Sequence, residues 1–223
     1  MKKEIIGSSL LLASFISPLQ AEEYKNYITV GGGIAFPENS EGDSALGGTA
    51  YDLKYEVDNT GAFSIGVGRK FNEYRLEFNY SKATIESDTF SLSSGGTGIT
   101  ASITPALESD VSSYMIFGYK DFPSDSKFTP YAGLGLGIGN FSAKNQTATV
   151  AGTAYQFEGG DETVFSFGLK GGVSYEIADN TSLFTEGLYQ NFASYQVAEA
   201  GYETVNYDSN QFFAVSAGIK LSF

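Results

Sequence analysis

Six segments of this 223-residue chain alternate apolar side chains with small or polar ones at a period of two residues, and two further segments, 112–121 and 183–192, show the pattern less cleanly. Such alternation is typical of a β-strand whose two faces meet different environments. In the last segment, Ile219 and Leu221 share one face, whereas Gly218 and Lys220 share the other. The segments are 26–36, 62–71, 74–81, 112–121, 130–141, 164–177, 183–192 and 211–223. The sequence therefore predicts an all-β protein, with the register left open at 112–121 and 183–192.

The second face of these segments consists mainly of Gly, Ser and Ala and carries few charges. A solvated strand face is usually polar along its length, so this composition argues against a soluble sheet with its apolar face buried. In lipid, a sheet must close on itself because no water satisfies its edge amides. The interior of an eight-stranded barrel is just wide enough for side chains to fill. We therefore expect the apolar face to meet lipid and the small face to line a narrow lumen.

The connections between the segments alternate in length. Long polar stretches occupy 37–60, 84–110, 142–162 and 193–209, whereas the other connections are short, at 72–73, roughly 122–127 and 178–181. Long loops at one end and tight turns at the other are typical of outer-membrane barrels, whose strands need about 10 residues to cross the bilayer. The prediction is an eight-stranded antiparallel up-and-down transmembrane β-barrel with four long extracellular loops and three short periplasmic turns.

Residues 1–21 have the pattern of a signal peptide. Lys2 and Lys3 precede an apolar run from 5 to 17, and Ala21 is a small residue at a suitable cleavage position. The run is about 13 residues long, where a spanning helix needs about 20. We expect cleavage after Ala21, which leaves 22–223 as the barrel domain.

The composition removes several classes of function. The chain has no histidine and no cysteine, so it lacks the commonest general base, thiolate nucleophiles and the usual zinc ligands. Its formal charge of −13 would repel nucleic acid. The acidic residues of the first long loop lack the spacing of a calcium-binding loop. We expect no enzymatic activity, no cofactor, no metal and no nucleic-acid partner.

Seven charged residues fall on the small face of the predicted strands. We expect these charges to pair inside the lumen, since an unpaired buried charge costs several kcal/mol. The alternative interpretation, an acid/base site, needs a perturbed pair in a cleft. The predicted ion-pair network consists of Lys70, Arg75, Glu77, Lys170, Glu176, Glu186 and Lys220. Such a network would plug the barrel.

Several segments together resemble a known family. They are Tyr27–Phe36 (YITVGGGIAF), Tyr74–Tyr80 (YRLEFNY), Gly118–Phe122 (GYKDF), Thr129–Gly137 (TPYAGLGLG) and the terminal AGIKLSF. Their order and spacing are similar to those of the OmpA-like and opacity-protein-like eight-stranded outer-membrane barrels, a group that includes surface antigens. The resemblance implies location in the cell outer membrane, contact with outer-membrane lipid and lipopolysaccharide, and recognition of Ile219, Leu221 and Phe223 by the barrel-assembly machinery.

Three functional hypotheses follow. The first is a structural, surface-exposed protein whose loops mediate adhesion or envelope integrity, with an extracellular ligand that the sequence does not identify. Aromatic loop residues suit contact surfaces, and the candidates here are Tyr195, Tyr202 and Tyr207. The second hypothesis is a narrow pore for small solutes, suggested by the glycine-rich inner face. The third is a soluble lipocalin-like carrier, which requires an apolar interior and a charged exterior.

Overall fold

The computed structural model describes residues 24–46, 49–157, 159–197 and 205–223. The predicted signal peptide and Tyr202 lie outside these residues. Every helix or strand that the described part contains is a β-strand. The strands are β1 (Tyr24–Pro37), β2 (Ser40–Leu46), β3 (Thr49–Glu56), β4 (Thr60–Phe71), β5 (Tyr74–Ser94), β6 (Thr97–Asp121), β7 (Phe128–Ala143), β8 (Gln146–Val150), β9 (Thr153–Phe157), β10 (Gly160–Ala178), β11 (Thr181–Phe192), β12 (Tyr195–Val197), β13 (Val205–Tyr207) and β14 (Asn210–Ser222).

Eight of these strands form a closed antiparallel ring. Its order is β1, β4, β5, β6, β7, β10, β11 and β14, and β14 pairs with β1 to complete the circle. The seam continues past β14, where Phe223 and Asn26 exchange two backbone hydrogen bonds of 2.8 and 3.0 Å. The predicted all-β, eight-stranded up-and-down barrel is confirmed.

Short turns join the ring strands at one end, as the sequence predicts. The turns are residues 72–73 between β4 and β5, 122–127 between β6 and β7, and 179–180 between β10 and β11. Asn72 has a φ of 54°, in the left-handed region that Asn tolerates better than most residues. Within the described ranges, no helix is long and apolar enough to cross a membrane.

The large apolar side chains of the ring point outward. Leu134 is 65% exposed, whereas its neighbour in sequence Gly135 faces the lumen. The same outward direction is shared by Ile28, Val30, Ile65, Phe165, Leu169, Ile219 and Leu221. A soluble carrier would place such residues inside and charges outside, so the lipocalin-like alternative is wrong.

The lumen contains more aromatic side chains than the small inner face suggested. In β6, Met115, Phe117 and Tyr119 point inward, and Tyr114 and Ile116 point outward. This settles the register that the alternation left open, since both faces of β6 carry apolar residues. In β11, the inward face carries Phe184, Glu186, Leu188, Gln190 and Phe192.

Glycines on β7 make room for the β6 aromatic rings. Phe117 lies opposite Gly135, and Tyr119 lies opposite Gly133. A Cβ atom built on Gly135 would lie 2.5 Å from Phe117 Cδ1, and one on Gly133 would lie 2.4 Å from Tyr119 Cδ1. The glycine at every second position of β7 therefore has a packing reason: it lets two large rings of the next strand lie flat across the lumen wall.

The four long connections, which the sequence predicted only as long polar loops, are β-hairpins. We call these hairpins, within 37–60, 84–110, 142–162 and 193–209, the crown. Above the ring the crown continues the sheet in the order β12, β13, β2, β3, β5, β6, β8 and β9. The short strands of the crown and the loop ends of β5 and β6 lie within the long polar connections, where neither face needs to be apolar, so the alternation that marks the ring is lost there. The Ser- and Thr-rich composition of β5 and β6 suits a strand without that pattern.

The close packing of β7 against β6 gives a first prediction. We expect Gly135→Val to lower the free energy of unfolding by about 1–3 kcal/mol, the usual cost of overpacking, because the added side chain meets the Phe117 ring. Urea-induced unfolding in lipid vesicles measures the change. The matched control is Gly118→Val on the outer face of β6, where a Cβ atom meets nothing within 4 Å. Equal losses from both substitutions would contradict the packing argument.

Candidate functional site

The charged side chains of the inner face meet in the half of the lumen nearer the short turns. The Asp121 carboxylate accepts hydrogen bonds from Arg75 Nε and Lys70 Nζ, both at 2.8 Å. Lys170 Nζ lies 2.8 Å from Glu186 Oε1. Arg75, Asp121, Lys170 and Glu186 are all buried. Because these side chains are buried, they can remain charged only when they pair with one another.

Tyrosine side chains join the ion pairs of Asp121 and Glu186 into one cluster. Tyr119 Oη donates to Glu77 Oε1 at 3.1 Å, and Tyr131 Oη donates to Glu186 Oε2 at 3.0 Å. The Arg75 guanidinium carbon lies 4.4 Å from the centre of the Tyr119 ring and 4.7 Å from that of the Tyr131 ring. Both distances suit cation–π attraction. We call these side chains, with Lys70, Asp121 and Lys170, the lumen cluster.

The seven charges predicted for the lumen occupy three kinds of position. Lys70, Arg75, Lys170 and Glu186 are in ion pairs. Glu77 accepts hydrogen bonds from Asn79 and Tyr119 instead. Glu176 and Lys220 line the mouth at the short-turn end, and in the described ranges neither forms an ion pair.

Sequence reasoning missed Asp121, the carboxylate that two cations share. Its position on the inner face depends on the register of β6, and the apolar residues on both faces of that strand concealed the register. The two-residue spacing along β6 identifies Asp121 as an inward-facing residue. Counting back from Asp121 at intervals of two gives Tyr119, Phe117 and Met115, the buried set.

The lumen cluster divides the interior into separate spaces. A cavity of about 280 Å³ opens at the short-turn end and another of about 230 Å³ at the long-loop end. Among the charged side chains themselves, the free space is only about 10 Å³, which is room for about one water molecule. Little free space therefore remains among the side chains of the lumen cluster.

The carboxylates in the described part of the chain do not gather as metal ligands do. No group of three or more Asp or Glu side chains there could hold a metal ion. With no histidine in the sequence, the lumen cluster also lacks the usual proton-transfer partner. Its geometry pairs buried charges with one another and with tyrosine hydroxyls.

The cavity at the long-loop end is a cup lined by all four hairpin loops, which we number loop 1 (37–60), loop 2 (84–110), loop 3 (142–162) and loop 4 (193–209). We call it the crown cup. Loop 1 contributes Glu38 and Tyr55, loop 3 contributes Phe157 and Glu162, and loop 4 contributes Tyr195 and Tyr207. Loop 2 contributes Ile85, Leu107 and Glu108. Two of the three tyrosines that the sequence singled out are thus brought together in one wall.

An aromatic column forms that wall and continues into the floor. The Tyr195 ring stacks on Tyr207 at 5.0 Å and on Phe141 at 5.5 Å between centroids, with interplanar angles of 19° and 20°. Below them, Phe192 contacts Phe141 and Phe212 edge to face. Burial, with the nearby Glu162 carboxylate as a second cause, raises the pKa of Tyr195 to about 12. The tyrosine is therefore neutral at ordinary pH and lies in a negative field.

Charge is distributed unevenly between the two ends of the barrel. The four loops hold sixteen Asp and Glu residues but only two basic residues, Lys54 and Lys144. The mouth at the opposite end is lined by Lys25, Lys70, Lys127 and Lys220 among its charged residues, with Asp121, Glu176 and Asp179. The crown thus carries the net negative charge of the chain.

The C-terminal residues form the outer surface of the seam. Ile219, Leu221 and Phe223 are 45%, 42% and 70% exposed and point away from the lumen. Ile219 and Leu221 lie opposite Val30 and Ile28 of β1. The three side chains are therefore open to contact from outside the barrel along the strand that closes it.

The shared carboxylate of the lumen cluster gives a second prediction. We expect Asp121→Asn to lower the free energy of unfolding by about 3–5 kcal/mol, because it leaves buried Arg75 without its partner. Urea titration in lipid vesicles again measures the change. The control is Glu41→Gln, which breaks the exposed pair with Lys54 and should cost less than about 1 kcal/mol. Similar costs for the two variants would refute the role given to Asp121.

Comparison with known proteins identifies relatives of the whole barrel. The family model of the outer membrane protein β-barrel domain matches residues 7–221. Outer membrane protein PagN of Salmonella typhimurium is 27% identical over 103 residues, which is 45% of this chain and 43% of PagN. The matched region thus spans less than half the length of that relative.

Solved structures with the same fold are similar over nearly the entire chain. Neisserial surface protein A aligns with a TM-score of 0.52 and 18% identity, covering 89% of this chain and 97% of that one. Outer membrane protein OprG from Pseudomonas aeruginosa aligns with a TM-score of 0.54 and 13% identity, covering 89% and 95%. Identities this low indicate a shared fold and nothing about a shared ligand.

Proposed function

Because this chain belongs to the outer membrane protein β-barrel domain family and lies in the outer membrane, we propose that it is a non-enzymatic structural protein whose crown adheres to positively charged surfaces. The observation that carries the proposal is the charge of the crown, sixteen carboxylates against two lysines. In barrels of this kind the long loops face the outside of the cell. A surface with one sign of charge steers partners of the opposite sign toward it.

The architecture of the crown supports a role in contact. Its hairpins are tied to one another by ladder pairing between β13 and β2 and between β3 and β5. Asp208 N donates to Glu41 O at 3.0 Å, and Asn206 Nδ2 donates to Asp43 Oδ2 at 3.0 Å, so loops 4 and 1 are held together. Ordered β-structure above the membrane presents a fixed surface, which lowers the entropy cost of binding a partner.

The closed lumen supports a structural role for the barrel itself. The charged side chains and tyrosine rings of the lumen cluster are mutually paired and leave about 10 Å³ between them. The absence of histidine from the chain supports the non-enzymatic part of the proposal.

A narrow pore is the second candidate function. The large cavities favour it, since one opens at each end of the barrel. The lumen cluster between them favours closure. A solute would have to break a buried ion pair to pass, and that costs several kcal/mol.

Conductance therefore gives a third prediction. We expect planar-bilayer recordings of the refolded protein to show no discrete current steps, because the lumen cluster blocks the axis. An Asp121→Asn preparation serves as the comparison, since loosening the cluster should produce at least transient steps. Regular steps in the unsubstituted protein would favour the pore.

We also propose two partners of the barrel wall. The outward apolar side chains suit outer-membrane lipid and the acyl chains of lipopolysaccharide. The exposed Ile219, Leu221 and Phe223 on the closing strand suit recognition by the barrel-assembly machinery before the seam with β1 forms.

Adhesion gives a fourth prediction, testable with purified protein in a non-ionic detergent. We expect it to bind polylysine-coated beads and to be released as salt rises toward 1 M, where electrostatic screening extends to about 3 Å. A crown variant neutralises four carboxylates that form no ion pair within the described residues: Glu56→Gln, Asp58→Asn, Glu86→Gln and Asp161→Asn. This variant should lose most of the binding, measured as bound fraction.

The matched control changes four carboxylates near the short-turn end: Glu73→Gln, Asp125→Asn, Glu176→Gln and Asp179→Asn. Its total charge equals that of the crown variant, so it should retain the binding only if the crown is the contact surface. Beads coated with polyglutamate should capture neither protein through the crown. Equal loss in both variants, or in neither, would reject the proposal.

A further inference from the structure

We propose that the space between Arg75 and Lys220, in the half of the lumen nearer the short turns, binds one small monovalent anion such as chloride. The inference is independent of adhesion by the crown. Three observations carry it: a buried guanidinium nitrogen without a hydrogen-bond partner, a lysine in excess of the carboxylates around it, and a small polar space that both side chains line.

Arg75 keeps an unused hydrogen-bond donor at a buried position. Its side chain is only 4% exposed, and its Nε atom donates to Asp121 at 2.8 Å. Nη2 of the same guanidinium is buried and finds no acceptor in hydrogen-bonding geometry, and the buried Tyr27 Oη likewise has no hydrogen-bond partner. A buried donor in this state has lost its hydrogen bond with water without a replacement. Charged acceptors form the strongest hydrogen bonds with a guanidinium, so an anion beside Nη2 suits this position.

The charges around Arg75 do not balance. The lumen cluster contains three cations and three carboxylates and is therefore neutral by itself. Lys220 on β14 adds a fourth positive charge within electrostatic range of Arg75 and Asp121. In the described ranges Lys220 forms no ion pair, and Glu176 is exposed to solvent at the mouth. One monovalent anion would make this half of the lumen neutral, which is the state that buried charges require.

The space that Arg75 and Lys220 line suits a single small ion. Its free volume is about 10 Å³, close to the size of one water molecule. Thr29 and Ser64 also line it, and their hydroxyl groups are further donors for an anion. Lys220 lines the 280 Å³ cavity at the short-turn mouth as well, so an ion reaches the space from that end. Chloride is only slightly larger than water, whereas polyatomic anions such as gluconate are too large.

Two carboxylates share this space with the cations, and both are already bound to protein donors. Glu77 accepts a hydrogen bond from Tyr119, and Glu186 accepts one from Tyr131 and pairs with Lys170. Their negative charge opposes an entering anion, so the affinity depends on the balance between these carboxylates and the cations. Removal of a cation and removal of a carboxylate should therefore change anion binding in opposite directions.

A chloride titration of the refolded protein in a non-ionic detergent tests the site. Broadening of the chloride NMR signal reports ions that bind and exchange, and its dependence on chloride concentration gives the dissociation constant. Sodium gluconate keeps the ionic strength constant, so that screening of surface charge does not change during the titration. We expect saturable broadening that bromide displaces and gluconate does not.

Three substitutions connect the binding to this half of the lumen. Lys220→Met removes the excess charge and should weaken chloride binding about tenfold or more, whereas Glu77→Gln should strengthen it about threefold or more. The matched control is Lys25→Met, which removes an exposed mouth lysine that lies outside the small space and forms no ion pair in the described residues. This control should leave the dissociation constant unchanged. Heat-modifiable migration on a gel establishes that each variant is folded.

Anomalous scattering from crystals soaked in sodium bromide locates the ion. The expected result is a peak within hydrogen-bond distance of Arg75 Nη2 and beside Lys220 Nζ. Peaks confined to exposed lysines would indicate an adventitious ion only and would overturn the site. Equal effects of the two lysine variants, weaker binding to Glu77→Gln, or a water molecule at Nη2 in the presence of bromide would overturn it as well. Attachment to polylysine beads is measured separately, so its failure would reject adhesion and leave the anion site standing.

Discussion

The closed hydrogen-bonded ring is the constraint on which the rest of this structure depends. A strand edge in lipid has no water to satisfy its N–H and C=O groups, so the sheet is stable in the membrane only when its last strand pairs with its first. Here β14 pairs with β1, and Phe223 and Asn26 extend the seam by two further hydrogen bonds. Closure at eight strands fixes a narrow interior, and that interior decides which side chains the inner face accepts.

The narrow interior explains why large and small inner residues lie on particular strands. Rings on β6 are accommodated because the opposing positions of β7 are glycines, as in the Phe117 and Gly135 pair. The remaining space is filled by charges that must pair because they are buried, with Asp121 between Arg75 and Lys70. Packing and electrostatics therefore act in the same direction. Both fill the narrow interior with side chains.

The long-loop end carries the features by which the protein meets its surroundings. Since the ring supplies a rigid base, the loops continue upward as paired strands and share one sheet. Pairing of the hairpins brings Tyr195 and Tyr207 into contact and sets both near Glu162. The same arrangement gathers carboxylates on the outer surface of the crown. The proposed adhesion to positively charged surfaces depends on this electrostatic asymmetry.

The sequence by itself determined the strand period, the direction of the apolar face, the alternation of long and short connections and the inner location of Arg75, Lys170 and Glu186. These are local properties, since a side chain's face follows from its parity along a strand. Tertiary structure alone decided the partner of Arg75, because Asp121 lies on a strand whose two faces are both apolar. It alone decided that the polar loops are strands and that their tyrosines line one cup. Both results depend on pairing between distant hairpins. No local sequence pattern encodes that pairing, because strands outside the membrane do not need one apolar face.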